Sequence, residues 1–90
     1  MLESDKIVVY DLRGFSRMKI RISRHAKRRL KERNIPYNDI VEVVENPEEI
    51  TPSIKGRLNY HKAIGSKHIK VTCKEESEGM VIITVMDKNL

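Results

Sequence analysis

The residues in this sequence best suited to chemistry are a histidine and two arginines one turn further along a basic stretch. His25 is followed by Arg28 and Arg29 within residues 23–35. The positive end of a helix dipole and the neighbouring arginines all favour the neutral form of such an imidazole. A neutral imidazole can remove a proton from a hydroxyl group, and guanidinium groups hold a phosphate and stabilise the charge that grows on it. Together these roles fit cleavage of RNA through its own 2′-hydroxyl group.

Residues from other parts of the chain would complete such a site. The predicted catalytic residues are His25, Arg29, Tyr60 and Lys62. Tyr60 and Lys62 would supply a leaving-group acid or a second phosphate contact. The predicted RNA- or phosphate-binding residues are Arg24, Arg28, Arg33 and Lys70. Purely structural roles are the alternatives: His25 would cap the helix and pack on Leu30, and Arg33 would pair with a carboxylate of the next helix.

Metal and cofactor chemistry has no support in the spacing of the residues. The groups that could ligate a metal are scattered along the chain: His25, His61, His68 and Cys73. No pair of them has the spacing of a zinc site, and the sequence has neither a glycine-rich phosphate loop nor a nucleophile elbow. We therefore expect no metal and no cofactor. The single cysteine excludes an internal disulfide.

Positive charge is concentrated in one part of the chain. The net charge is +5, and the segment from Arg13 to Arg33 holds ten Lys or Arg against one acid. The rest of the chain is net acidic, so we expect a basic patch that attracts phosphate, although charged helix faces are often merely solvated.

No apolar run approaches the roughly 18 residues of a membrane span, and the N-terminus lacks the core of a signal peptide. We expect a cytoplasmic protein that does not bind membranes.

Two short helices are predicted in the first half of the chain. Ser23 can cap the first helix, and Asn34 and Pro36 can end it. Ala26 and Leu30 form its narrow apolar edge, so most of its charge should remain in water. The second helix follows Pro36 and has apolar residues at 40, 43 and 44.

The remaining segments have strand patterns. The predicted strands are residues 7–12, 18–22, 49–54, 58–64, 68–74 and 80–86, with turns at 13–16 and 75–79. Pro52 places the third strand at an edge, and the strand at 80–86 is apolar on both faces and should be interior. The open face would carry either His68, Lys70 and Thr72 or Tyr60 and Lys62.

We predict an α+β fold, an antiparallel sheet with both helices on one face, in the order β-α-α-β-β-β(-β). Residues 1–17 form an N-terminal extension, either an added strand or the product of an upstream start codon, and residues 18–90 form a single domain.

Four motifs resemble a widespread small prokaryotic domain of unknown function. They are His25-Ala26-x-x-Arg29-Leu30-x-Glu32-Arg33-Asn34-Ile35, Asp39-Ile40, Asn46-Pro47 and Ile82-Ile83-Thr84-Val85. The resemblance covers about residues 18–87, and the signature residues map to His25, Arg29, Glu32, Arg33 and Thr84. Typical members have Gly where this chain has Asn34, and both residues suit a helix end.

That family is similar to the RelE-type toxins, which are endoribonucleases restrained by an antitoxin. The resemblance implies a β-α-α-β-β-β fold, RNA (including ribosome-bound mRNA) as the substrate, and an acidic antitoxin protein as a partner. RelE toxins tend to use Lys, Arg and a C-terminal Tyr, whereas this chain ends without a Tyr and its last arginine is Arg57. Their mechanism therefore does not transfer residue by residue.

Two functions follow from these patterns. The first is a metal-independent, toxin-type endoribonuclease that uses His25 and the adjacent arginines. The second is a non-catalytic basic module that binds RNA or an acidic protein through the 24–33 helix. They differ in the role of His25, which is essential in the first and dispensable in the second.

Overall fold

Six strands and two helices make up the chain in the computed structural model, which describes residues 5–10, 17–76 and 79–88, with backbone alone at 5–10 and 17–19. The elements in chain order are β1 (Asp5–Tyr10), β2 (Arg17–Ile22), α1 (Arg24–Arg33), α2 (Tyr37–Glu45), β3 (Glu49–Pro52), a 3-10 turn (Ile54–Gly56), β4 (Leu58–Ile64), β5 (Lys67–Glu76) and β6 (Gly79–Asp87). Neither helix reaches the length or hydropathy that a bilayer span requires.

The strands form one sheet in the order β1-β2-β6-β5-β4-β3. All neighbouring pairs are antiparallel except β2 and β6, which run parallel. The predicted α+β class and element order are confirmed, with the fourth strand present after the helices. Within this sheet β3 is an edge strand and β6 is interior, as Pro52 and the apolar composition of residues 80–86 predicted. The parallel pair is the one departure from the predicted antiparallel sheet.

The core lies between the helices and one face of the sheet. Ile69, Val71 and Cys73 of β5 are fully buried, as their alternation predicted. Tyr60 lies opposite Val71 and shares its face, because directly paired strand residues point to the same side. The other face therefore carries Lys70 with His68 and Thr72, and the register selects the first of the two predicted alternatives.

The helices cover different strands of that face. Helix α1 packs across β6, and α2 packs over β4 and β5. Their buried residues, Ala26 and Leu30 in α1 and Ile40, Val43 and Val44 in α2, are those predicted to face the core. Burial of each larger aliphatic side chain contributes about 1.5–3 kcal/mol. The basic helix is therefore fixed above β6 by a narrow apolar edge.

Some sequence predictions fall partly outside the described residues. The turn at 13–16 lies outside them entirely, as does residue 12 of the predicted first strand. The observed β1 spans Asp5–Tyr10 and pairs along β2. Of the predicted turn at 75–79, Glu75 and Glu76 belong to β5 and Gly79 begins β6, while 77 and 78 lie outside the description.

Candidate nucleic-acid interface

Ser23 fixes the first turn of α1 to β6. Its hydroxyl accepts a hydrogen bond from the backbone N–H of Ala26 (3.1 Å) and donates one to the carbonyl oxygen of Ile83 (3.1 Å). Its own backbone N–H donates to the carbonyl oxygen of Ile82 at 3.1 Å. The predicted cap is confirmed, and it also sets the position of the basic helix along β6.

Asn34 ends α1 in the left-handed conformation, with φ 54° and ψ 48°. Its N–H donates to the carbonyl oxygens of Leu30 and Lys31, and its carbonyl oxygen accepts a hydrogen bond from the Lys67 ammonium at 2.8 Å. The predicted helix stop is therefore confirmed. Pro36 is the N-cap residue of α2, so the chain turns within two residues of the end of α1. Residues 35–37 therefore lie alongside α1.

A groove of about 680 Å³ lies between α1 and this turn. It is lined by Arg24, Lys27, Arg28, Leu30, Lys31, Asn34, Ile35, Pro36 and Tyr37. Leu30 and Ile35 are buried and give the groove an apolar floor, whereas Tyr37 is 44% exposed. This volume is within the range of small-ligand sites, which combine an apolar lining with a few polar groups.

Four of the lining residues are cations on one flank of α1: Arg24, Lys27, Arg28 and Lys31. They fall within an arc of roughly 100° because they are spaced three and four residues apart. No acid is among the residues that line the groove. The neighbouring segment, residues 37–50, has five acids and no Lys or Arg, and these acids belong to α2, the loop after it and the start of β3. The groove is therefore a concave surface of positive charge.

The opposite flank of α1 carries a different group of predicted residues. Arg29 donates a hydrogen bond to Glu32 at 3.1 Å, and both side chains are largely exposed, so the pair contributes little to stability. His25 is exposed, and Ser23 rather than His25 caps the helix. Arg33 is half-buried, and its Nε is buried without a hydrogen-bond partner among the described residues. The two structural alternatives, a packed His25 and an Arg33 paired with α2, are thus not observed.

Tyr60 and Lys62 lie far from His25. Tyr60 is 7% exposed in the core, and its pKa is raised by burial and then by the nearby Cys73 and Glu75. The Lys62 ammonium donates to the carbonyl oxygen of Asn46 at 2.8 Å and pairs with Glu42 at 3.1 Å. Tyr60 is therefore part of the core, and the Lys62 ammonium is paired with the α2 region.

The sheet register gives the size of that separation. Lys62 lies opposite Ile69, which lies opposite Asp87 on β6. Ser23 contacts β6 at Ile82, which is five residues from Asp87, or roughly 17 Å along the strand at about 3.4 Å per residue. The structure does not bring the four predicted catalytic residues together, and only His25 and Arg29 share a surface.

Of the predicted phosphate-binding residues, Arg24 and Arg28 line the groove, Arg33 is on the other flank, and Lys70 is on the opposite face of the sheet.

Of the nine residues that line the groove, only Arg24 and Arg28 were predicted as site residues, and the cationic and aromatic ones that were missed are Lys27, Lys31 and Tyr37. Within α1, only arginines had been predicted to bind phosphate. One signal in the sequence could have identified Tyr37. The chain has only four aromatic residues, and this one lies three positions after Asn34, where the basic helix ends. Among the described residues, no three His, Cys, Asp or Glu side chains form a group that could hold a metal ion.

A protein-family pattern matches most of the chain. The chain belongs to the family described as a domain of unknown function, DUF4258, whose pattern matches residues 22–87. That range runs from the end of β2 through β6 and includes every residue that lines the groove. Comparison with curated proteins and with solved structures finds no match.

Proposed function

We propose that this DUF4258 domain binds single-stranded RNA in the groove beside α1. The observation that carries the proposal is the groove itself, in which four cations surround an apolar floor next to an exposed tyrosine. Phosphate supplies the negative charge that such a rim attracts, and a nucleobase supplies a flat apolar surface for the floor. RNA offers both in one repeating unit.

The arginines are the groups expected to bind the RNA backbone. Arg24 and Arg28 are exposed and one turn apart. A guanidinium group binds two phosphate oxygens at once, and Lys31 continues the same line as a point charge. For single strands, each neutralised phosphate contributes about −0.7 to the slope of log Kobs against log salt concentration. Two to four contacts would give a slope of roughly −1.4 to −2.8.

Tyr37 favours a single strand over a duplex. Tyr37 lines the groove and is 44% exposed, so an unstacked base has access to its ring. Stacking of one base on an aromatic side chain contributes about 1–3 kcal/mol. The bases of an RNA duplex are stacked on each other, so a duplex would gain only the phosphate contacts.

Fluorescence anisotropy tests this proposal with three labelled probes: a 12-nucleotide RNA, the DNA of the same sequence, and the RNA duplex. We expect the single-stranded RNA to bind most tightly, with affinity falling steeply as salt rises. Salt-independent binding, or a duplex bound as tightly as the single strand, would contradict the proposal.

A second function, RNA cleavage, is favoured by the position of His25. It is exposed in the first turn of α1, on the flank that carries Arg29, and it directly follows Arg24 of the groove in the sequence. In this reaction the His25 imidazole takes the proton from a 2′-hydroxyl group, whose oxygen attacks the adjacent phosphorus, while the arginines stabilise the added charge. The bond to the 5′-oxygen breaks, and the product is a 2′,3′-cyclic phosphate. Neither Tyr60 nor Lys62 is assigned as the acid for the leaving oxygen.

Incubation of RNA with wild-type protein and with His25→Ala, with and without ribosomes, tests cleavage separately from binding. We expect cyclic-phosphate ends from the wild type and none from the variant, with anisotropy unchanged. Equal amounts of intact RNA in both reactions would contradict cleavage and leave the binding proposal standing.

The biological role that fits RNA binding and cleavage is that of the toxin in a toxin–antitoxin pair. The order of helices and strands contains the β-α-α-β-β-β order that similarity to RelE toxins implies, with one strand added before it and a fourth strand after the helices. The basic α1 surface has the charge that an acidic antitoxin would neutralise. Its compartment would then be the cytoplasm, where mRNA is available. Co-purification with a small acidic protein encoded beside it would support this role, and a neighbouring gene of unrelated chemistry would count against it.

A further inference from the structure

On the face of the sheet opposite to the helices, His61 is buried but only partly hydrogen-bonded. It is 8% exposed, and its Nε2 lies 2.9 Å from the Thr51 hydroxyl oxygen. Its Nδ1 is buried and has no hydrogen-bond partner among the described residues. A buried polar atom without a partner costs about 1–3 kcal/mol, so an unpaired Nδ1 calls for a physical explanation.

Charged groups surround this ring on the same face. Lys70 lies directly opposite His61 on β5, and Glu49 lies opposite it on β3. His68 lies two residues from Lys70 on the same face of β5, and its carbonyl oxygen accepts a 2.8 Å hydrogen bond from the backbone N–H of Lys88. The ammonium groups of Lys70 and Lys88 have no ion-pair partner within the described ranges. Within the described residues, two lysines without an ion-pair partner and two imidazoles thus lie on the same face as one carboxylate, that of Glu49.

We propose that His61, Lys70, Lys88 and His68 form a second anion site, which binds one phosphate group on the open face of the sheet. If the Thr51 hydroxyl donates to Nε2, the ring carries its proton on Nδ1. Because Nδ1 is buried, the side chains that cover it must move aside before it can donate this proton to a phosphate oxygen. The two ammonium groups supply charge-assisted contacts. The ligand is a phosphate group, either free or at the end of a nucleotide.

This site is separate from the α1 groove. The groove lies on the helix side of the molecule, whereas Lys70 points away from the fully buried Ile69 and Val71 that face the helices. A variant of one site therefore leaves the other intact, and the failure of either proposal does not decide the other.

Nuclear magnetic resonance of the imidazole groups tests the site in the full chain. Inorganic phosphate is titrated at constant ionic strength into the wild type, into Lys70→Gln, and into Lys74→Gln. Lys74 is the matched control because it is an exposed lysine on the same strand and the same face. We expect a saturable shift of the His61 signals, weakened about fivefold or more in Lys70→Gln and unchanged in Lys74→Gln.

Two results would overturn the site. One is a shift that grows linearly without saturation, which indicates an adventitious ion only. The other is equal weakening in both lysine variants, which indicates general charge attraction. Adenosine 5′-monophosphate as a second probe distinguishes the sources: tighter binding than inorganic phosphate supports a nucleotide, and equal binding supports a free phosphate group.

Discussion

Arg28 and Arg29 are adjacent in sequence but lie on opposite flanks of α1. Arg28 lines the groove, whereas Arg29 is bonded to Glu32 at 3.1 Å on the other side of the helix. The separation follows from about 100° of rotation per residue in a helix whose buried edge is Ala26 and Leu30. Two residues of equal charge thus differ in whether an RNA strand in the groove can reach them.

Loss of the Ser23 hydroxyl should destabilise the fold. Ser23→Ala removes the hydrogen bonds to Ala26 and Ile83, so we expect the free energy of unfolding to fall by about 1–2 kcal/mol. Ser53→Ala is the control, because Ser53 precedes the 3-10 turn without capping it. Urea unfolding followed by circular dichroism measures both variants. Equal midpoints for the two would show that Ser23 does not fix α1 to β6.

Tyr37 should contribute to RNA binding through its ring and not through its hydroxyl group. We expect Tyr37→Ala to weaken binding of the single strand by roughly fivefold to a hundredfold, the equivalent of about 1–3 kcal/mol of base stacking. Tyr37→Phe retains the ring and should bind as the wild type does. Anisotropy with the 12-nucleotide RNA measures both, and identical affinities for Ala and Phe would exclude stacking.

Cys73 should be unreactive in the folded protein. Its side chain is fully buried in the core, and burial raises the pKa of the thiol to about 12. At pH 8 only about one thiol in ten thousand would then be the reactive thiolate. We expect no modification by a maleimide under native conditions and complete modification in urea. Rapid stoichiometric labelling of the native protein would show that the core opens at β5.

His61 should make the fold less stable in mild acid. Its pKa is lowered below 6.5 by burial and then by Lys88, Lys70 and His68, while Glu49 acts in the opposite direction. The unfolded chain therefore binds a proton at higher pH than the folded chain does. Stability is fully present above pH 6.5 and declines as pH falls through the folded pKa, by at most about 1.4 kcal/mol per pH unit.

Urea midpoints between pH 7.5 and 5 test this dependence. We expect the midpoint of the wild type to fall with pH and that of His61→Gln to fall less. Parallel curves for the two proteins would assign the acid sensitivity to other groups.

Local signals predicted the framework of the site well. The cap at Ser23 and the stop at Asn34 depend on residues within one turn, so their side-chain and backbone chemistry identifies them. The inward face of β5 was equally clear, because Ile69, Val71 and Cys73 alternate with polar residues. Strand β4 was ambiguous because apolar and polar residues occur on both of its faces, and only pairing with β5 decides it.

Long-range geometry was not predictable in the same way. The parallel pairing of β2 and β6 joins residues sixty positions apart, and no local pattern encodes it. The position of Tyr37 beside Arg28 depends on the angle between two helices, which the turn at Asn34 permits but does not specify. Tyr60 and Lys62 were grouped with His25 by residue type alone, and the register places them on distant strands.

The most direct test of the groove compares RNA binding by Arg28→Gln and Arg29→Gln as salt is varied. Both variants lose one positive charge from adjacent positions on the same helix. We predict that Arg28→Gln weakens binding and reduces the magnitude of the salt slope by about 0.7, while Arg29→Gln retains the slope of the wild type. Equal losses in the two variants would contradict the account, because they would show that RNA responds to the net charge of α1 and not to the groove.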